Sequence, residues 1–216
     1  MIAFTECPDA QGTEGWLRAR IGRVTGSKAK DVLATIKTGE AAARRDYRVA
    51  LMLERLTGNP TPQGFVSEEM KWGTVTEPLA RMAYEARTGN IVSESGFLSC
   101  NDIAVGVSLD GSVNGYQGIT EFKCPKSATH WGYIQAGKVP SEYVPQITHE
   151  MWVTGAEWCD FVSFDPRFPD NLQLFIVRVM RADVDIAGYE KSVHEFLREL
   201  DAEETKARSM IIGASQ

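Results

Sequence analysis

The sequence has 216 residues, 43% apolar and 24% charged, which suits one compact globular domain with a real core. No apolar run approaches the roughly 18–20 residues that cross a bilayer, and Glu6 and Asp9 near the start argue against a secretion signal, so a cytoplasmic protein is expected. The net charge of −6 excludes a uniformly basic surface, but residues 1–64 carry ten Lys/Arg against seven Asp/Glu while residues 65–216 carry thirteen against twenty-two. That imbalance predicts a local basic track on an otherwise acidic protein.

In chain order, Ser27 reads as the cap of a short helix through Ile36, and Asp46 to Thr57 places Val49, Leu51, Met52 and Leu56 at helical spacing. Gly58 to Pro62 marks a loop. A third helix carries Leu79, Met82, Ala83 and Ala86 and ends at Gly89. The pattern then turns to period two, predicting strands over Ile91 to Ser99, Ile103 to Leu109 and Ile119 to Cys124. Helices follow at Ala128 to Ala136 and Glu142 to Thr154, then strands at Trp158 to Phe164 and Leu172 to Met180, turned by Asp165-Pro166-Arg167. A last helix from about Ala182 to Met210 aligns Ile186, Tyr189, Val193, Phe196, Leu197 and Leu200, and Gly213 to Gln216 reads as a frayed tail. The expected architecture is α/β (α+β), a central mixed β-sheet flanked by helices. Within a single domain, 1–64 forms a helical N-terminal part, 65–180 the core that carries the chemistry, and 181–216 a C-terminal helix and tail.

Cys7, Cys100, Cys124 and Cys159 lie too far apart for a zinc ribbon or a local iron–sulfur group and are expected as four buried thiols. Trp72, Trp131 and Trp152 read as core, His149 as a satisfied structural residue, and Arg44, Arg45 and Arg48 as an ordinary charged helix face.

The chemistry lies in Ser108-Leu109-Asp110-Gly111, nine further residues, then Glu121-Phe122-Lys123. Side chains alternate along a strand, so Glu121 and Lys123 point one way while Phe122 and Cys124 face the core. Asp110, ending the preceding strand, folds back beside Glu121. Two carboxylates there offer hard oxygen ligands to Mg²⁺, and the lysine can place or polarise water and screen phosphate charge. Taken alone, the pattern is weak, because Asp-Gly is a common turn and Glu-x-Lys a common solvated strand face. Glu77, after Trp72-Gly73 at the start of an amphipathic helix, offers a third carboxylate, and Tyr143 and Gln146 share one face of a later helix.

These segments occur in order with Trp16 to Arg20, Thr25-Gly26-Ser27, Cys124-Pro125, Val144-Pro145 and Met151-Trp152-Val153-Thr154. Together, from about Trp16 to Arg167, they resemble the phage lambda exonuclease family of YqaJ-like viral recombinases, within the restriction-endonuclease-like PD-(D/E)xK fold. The resemblance implies a 5′-to-3′ exonuclease that acts on double-stranded DNA ends, releases 5′-mononucleotides and leaves 3′ single-stranded tails for phage-type recombination. It implies a homotrimeric ring, a single-strand annealing protein as partner, and Mg²⁺, expected as a pair with Mn²⁺ as substitute. Carried over, Asp110 and Glu121 match metal ligands with the Phe122 carbonyl, Glu77 the helix-borne acid at the metals, and Lys123 the catalytic lysine. Tyr143 and Gln146 match residues beside the scissile phosphate, while Arg20 and Ser27, with Thr25, match the grip on the terminal 5′-phosphate. A helix start at Ser27 fits anion binding, although a surface arginine and a plain N-cap are the ordinary readings of Arg20 and Ser27. The loop from Lys37 to Glu40 and on to Arg45 departs from the family, which places there the side chains that split the duplex end. Two other readings stay open: a structure-specific or restriction-type endonuclease, and a non-catalytic DNA-end-binding module.

Overall fold

The expected strands do form, three of them shorter than expected, one shifted by a residue and one unchanged, and three short strands join them. The computed structural model describes residues 2–62 and 67–213. In it β1 (Phe4–Glu6), β2 (Val24–Thr25), β3 (Phe97–Cys100) and β4 (Val105–Ser108) form a sheet in the order β1-β3-β4-β2. A second sheet, β5-β6-β7-β8, is built from Gly111–Val113, Gly118–Lys123, Trp158–Phe164 and Leu174–Met180. Both are mixed, with β2 parallel to β4 and β6 parallel to β7. The single sheet expected is therefore two, because Leu109 and Asp110 carry the chain out of β4 before Gly111 opens β5. The strand expected over Ile91 to Ser99 begins only at Phe97, since Ile91 faces solvent and Ser93 makes an isolated bridge to Ser112.

Helices α1 (Glu14–Arg20), α2 (Ala29–Val32), α3 (Ala42–Thr57), α4 (Glu68–Thr88), α5 (Ser127–Ala136), α6 (Val144–Thr154) and α7 (Ile186–Gly213) complete the described residues. The Thr13 hydroxyl caps α1 by accepting the Trp16 N–H. Ser27 caps no helix. It lies exposed within a 3-10 turn, Gly26–Lys28, and α2 is a single turn that ends well short of Ile36. Only Ala29 and Val32 of that segment are buried, so little apolar area supports a longer helix. The expected tail begins inside α7, whose last residue is Gly213; residues 214–216 lie outside the described residues.

Helix α4 shows a different face from the one the apolar residues suggest. Thr76, Ala80 and Tyr84 are buried, whereas Leu79 and Met82 are 49% and 65% exposed. The i, i+4 row through Ala80 lets the helix lie close on β6 and β7, where Tyr84 meets Phe122 edge-on at 5.9 Å. Helix α6 covers the opposite face of that sheet and reaches β4; every residue from Ile147 to Thr154 is buried. Outside it, α7 buries Tyr189, Val193, Phe196, Leu197 and Leu200. Phe196 stacks on Tyr47 of α3 with ring centres 5.6 Å apart.

Three smaller expectations change. Arg44 and Arg48 are not a free charged face: Arg44 pairs with Glu40 and Glu199 and Arg48 with Glu40 and Glu203, fastening α3 to α7, while Arg45 stays exposed beside Asp46. All four cysteines are free, but only Cys100 and Cys159 are buried; Cys7 and Cys124 lie just past the ends of β1 and β6 and are partly exposed. Trp152 is core, Trp72 is half-buried under the Arg167 guanidinium, and Trp131 is 42% exposed, stacked on Phe168. Helix α5 turns His130 inward to Ser163 and the Leu172 carbonyl, which leaves its neighbour Trp131 facing out.

Candidate active site

The site forms where β6 outruns β5. Gly111 pairs with Thr120, and beyond that point β5 has no residue to meet the Phe122 amide. The Asp110 carboxylate does so instead, accepting the Phe122 N–H at 2.8 Å. The close approach requires glycine next door, because a Cβ on Gly111 would stand 2.2 Å from Val92 and 2.6 Å from the Thr120 hydroxyl. Alternation along β6 then sends Phe122 toward α4 and Glu121 toward α6. Contrary to a solvated strand face, Glu121 is fully buried. Lys123 Nζ contacts Glu121 Oε1, donates to the Phe122 carbonyl at 3.2 Å and lies 3.9 Å from Asp110 Oδ2.

From α6, Gln146 Nε2 donates to Glu121 Oε1 at 2.7 Å and to Glu150 Oε1 at 2.9 Å. Glu150, fully buried, was not among the expected site residues; the signal was its position one helical turn after Gln146. Tyr143 stands at the start of α6 with its ring centre 5.4 Å from Lys123 Nζ. The structure thus brings Asp110, Glu121, Phe122, Lys123, Tyr143 and Gln146 together and adds Glu150. Glu77 lies in the middle of α4, not at its start, and meets the cluster through its field. His149 is, as expected, structural: buried, and bonded to Tyr189 and the Gly106 carbonyl.

Electrostatics single out the same residues. Burial first, then the Glu121 charge, pushes the Asp110 carboxyl up to about 8. Burial also raises Glu77, against the pull of Lys123, and raises Glu150 far above the usual carboxylate range, helped by Glu121 and Asp110. Burial would lower Lys123, but Glu121 and Asp110 outweigh it and hold the ammonium above its ordinary range. Carboxylates are thus crowded beyond what one lysine neutralises. Glu121 Oε2 and Glu150 Oε2 are buried with no hydrogen-bond partner. A buried, unpartnered Glu121 oxygen next to the Phe122 carbonyl and Asp110 is a set of hard oxygen donors that could hold a divalent cation. Among the described residues no three acidic, His or Cys side chains form a ready cage, so a cation would rest on Asp110, Glu121 and the Phe122 carbonyl.

The three residues expected at a terminal phosphate lie on one flank. Arg20 is half-buried, 4.1 Å over the Trp16 ring, and donates to Ser108 Oγ at 3.3 Å; Trp16 Nε1 donates to the same hydroxyl at 3.1 Å. Ser108, two residues before Asp110 in the motif, thus ties Trp16 and Arg20 to the end of β4. Thr25 is buried and gives its amide to the Tyr47 hydroxyl, while Ser27 is exposed. The turn between them reaches the active site directly. A Cβ on Gly26 would stand 3.3 Å from Glu150 Oε1.

The sheets, the flanking helices and a carboxylate–lysine cluster at the end of β6 define a protein of restriction-endonuclease-like fold. A profile of the YqaJ-like viral recombinase domain matches residues 15–157, and the chain belongs to that family. Among solved structures it is similar to the alkaline exonuclease LHK-Exo from Laribacter hongkongensis, with 40% identity and a TM-score of 0.83 over 94% of this chain and 100% of that one. The same relative in complex with dAMP gives 40% identity and a TM-score of 0.84 with equal coverage. A phage-related exonuclease from Haemophilus somnus 129PT, 14% identical over 88% of this chain and 96% of that one with a TM-score of 0.63, shares the fold. A sequence comparison with curated proteins finds no match.

Proposed function

We propose that this chain is a divalent-metal-dependent deoxyribonuclease that digests linear duplex DNA from its 5′ ends, releasing 5′-mononucleotides and leaving 3′ single-stranded tails. The observation that carries the reading is the linked cluster Asp110–Phe122–Lys123–Glu121–Gln146, with a buried Glu121 oxygen left unpaired. The kinship with an alkaline exonuclease seen with dAMP supports DNA as substrate and a nucleoside monophosphate as product. Bound at Asp110, Glu121 and the Phe122 carbonyl, Mg²⁺ or Mn²⁺, as one ion or a pair, supplies Lewis-acid polarisation of the phosphoryl oxygens and activation of water. Glu77 adds negative charge on the α4 side. Lys123 screens the charge that grows on the phosphate, Tyr143 covers the lysine, and Gln146 holds the Glu121 oxygen in place. Arg20, with the turn at Thr25 and Ser27, receives the terminal phosphate. The family resemblance extends the proposal to a homotrimeric ring working with a single-strand annealing protein, which mass by light scattering tests for the ring.

The deciding experiment compares closed circular and linearised plasmid, each with Mg²⁺ and with chelator. Mg²⁺-dependent loss of the linear form alone is the expected result. Nicking of the circle would replace exonuclease by endonuclease, and binding of ends without cutting would make the chain a DNA-end-binding module.

A further inference from the structure

Glu150 is fully buried beside the site and has no part in the reading above. Its Oε1 shares the Gln146 side-chain nitrogen with Glu121 Oε1, at 2.9 Å and 2.7 Å. A primary amide has two N–H donors on nitrogen and only acceptor lone pairs on oxygen. Both hydrogens of Gln146 are therefore spent on the Glu121 and Glu150 oxygens, and a flipped amide would press its carbonyl against the Glu121 oxygen that Lys123 also contacts. Glu121 alone would leave one hydrogen free and the amide plane loosely held. The second carboxylate closes the fork. Gln146 is partly exposed, and its own carbonyl oxygen makes no hydrogen bond among the described residues and is not buried, so it opens on the solvent side of the cluster. Behind the pair, the glycine turn packs so tightly that a Cβ at Gly26 would stand 3.3 Å from Glu150 Oε1 and 3.5 Å from Gln146 Cγ.

We propose that Glu150 is a positioning residue that locks the Gln146 amide with its carbonyl oxygen toward the reacting phosphate, as an acceptor for the attacking water. The inference rests on the nuclease reading. An acceptor with a fixed direction lowers the barrier by orienting the water, so its loss appears in turnover and not in DNA binding.

The test measures kcat and KM for linear duplex digestion in Mg²⁺. Glu150→Met, which keeps the volume but removes the acceptor, is expected to lower kcat about tenfold or more with KM nearly unchanged. Glu150→Gln, which restores an acceptor, should recover most of that loss. In a Gln146→Ala background, Glu150→Met should cause no further drop. A Met variant at wild-type kcat, a Gln variant as slow as Met, or a full extra drop without Gln146 each overturns the role. A measurement on the wild type needs no variant to fold: both side-chain amide protons of Gln146, assigned by their absence in Gln146→Ala, should exchange slowly with solvent. Fast exchange of either overturns the locking. A wild type that cuts nothing in Mg²⁺ overturns the nuclease reading itself, whereas protected amide protons would still report the lock.

Discussion

Arg20→Ala should abolish a preference for 5′-phosphorylated ends while leaving the metal site able to cut. Of the five N–H donors on the Arg20 guanidinium, the hydrogen bond to Ser108 is the one it makes among the described residues, and no carboxylate pairs with it there. Burial pulls its pKa below the usual arginine value, against the opposing charges of Tyr47 and Glu54. Trp16 and Phe97 hold the group from its faces, at 4.1 Å and 5.5 Å from their ring centres. A charge that is partly desolvated, held in place and short of a counter-ion suits an incoming anion. One charge-assisted hydrogen bond of roughly 1.5–3 kcal/mol corresponds to about 10–150-fold between a 5′-phosphate and a 5′-hydroxyl end. The assay is the initial digestion rate of one linear duplex prepared with either end, at fixed salt, because phosphate contacts weaken as salt rises. Equal rates for wild type on both ends, or an undiminished preference in Arg20→Ala, would refute the assignment.

Three further outcomes follow from the cluster. Asp110→Asn keeps an acceptor for the Phe122 amide but removes a metal-binding charge, so Mg²⁺-dependent cutting should vanish while the thermal midpoint in chelator holds or rises; Glu121→Ala should be equally inactive, and ordinary turnover by either sinks the site. Lys123→Ala should lose rate far more than DNA affinity, and Lys123→Arg should not restore it, since a planar guanidinium does not replace a point charge packed against Glu121; single-turnover rates beside equilibrium binding decide. The Asp110 carboxyl has a folded-state pKa of about 8 against an ordinary 3.8, so the folded state holds the extra proton between those values and metal-free stability should fall as pH rises through that window. Lys123 stays charged across it and does not change the sign. Melting at pH 5 and pH 9 in chelator checks this, and added Mg²⁺ should shrink the difference.

The sequence resolved best where one physical cause acted alone. Strand β7 is read to the residue because Trp158, Cys159, Phe161, Val162 and Phe164, rich in aromatic and β-branched side chains, lie between Gly155 and Asp165-Pro166. Strands β1, β2 and β5 span two or three residues, too few to show a period, and exist only through their partners. On α4, apolar content alone favours the side of Leu79 and Met82, whereas the sheet selects Thr76, the small Ala80 and Tyr84 for close approach. Of the site, Asp110, Glu121 and Lys123 are legible because strand alternation and one turn suffice to join them. Glu150 carries only the weak signal of standing one turn after Gln146, since Met151, Trp152 and Val153 make its surroundings look like plain core.

Helix α7 is fastened by two kinds of force in succession. Up to Leu200 it buries an apolar stripe, and beyond Leu200 no described side chain is buried. There Asp201 and Glu204 meet Arg55, and Glu203 meets Arg48. Contacts of that kind are screened within about 8–10 Å at ordinary ionic strength, and the hydrophobic stripe is not. Amide hydrogen exchange along the helix should therefore show a step near Leu200, slow before it and fast after it. Raising the salt should accelerate the second segment while leaving the first in place, so that the helix beyond Leu200 loosens by degrees without releasing the core.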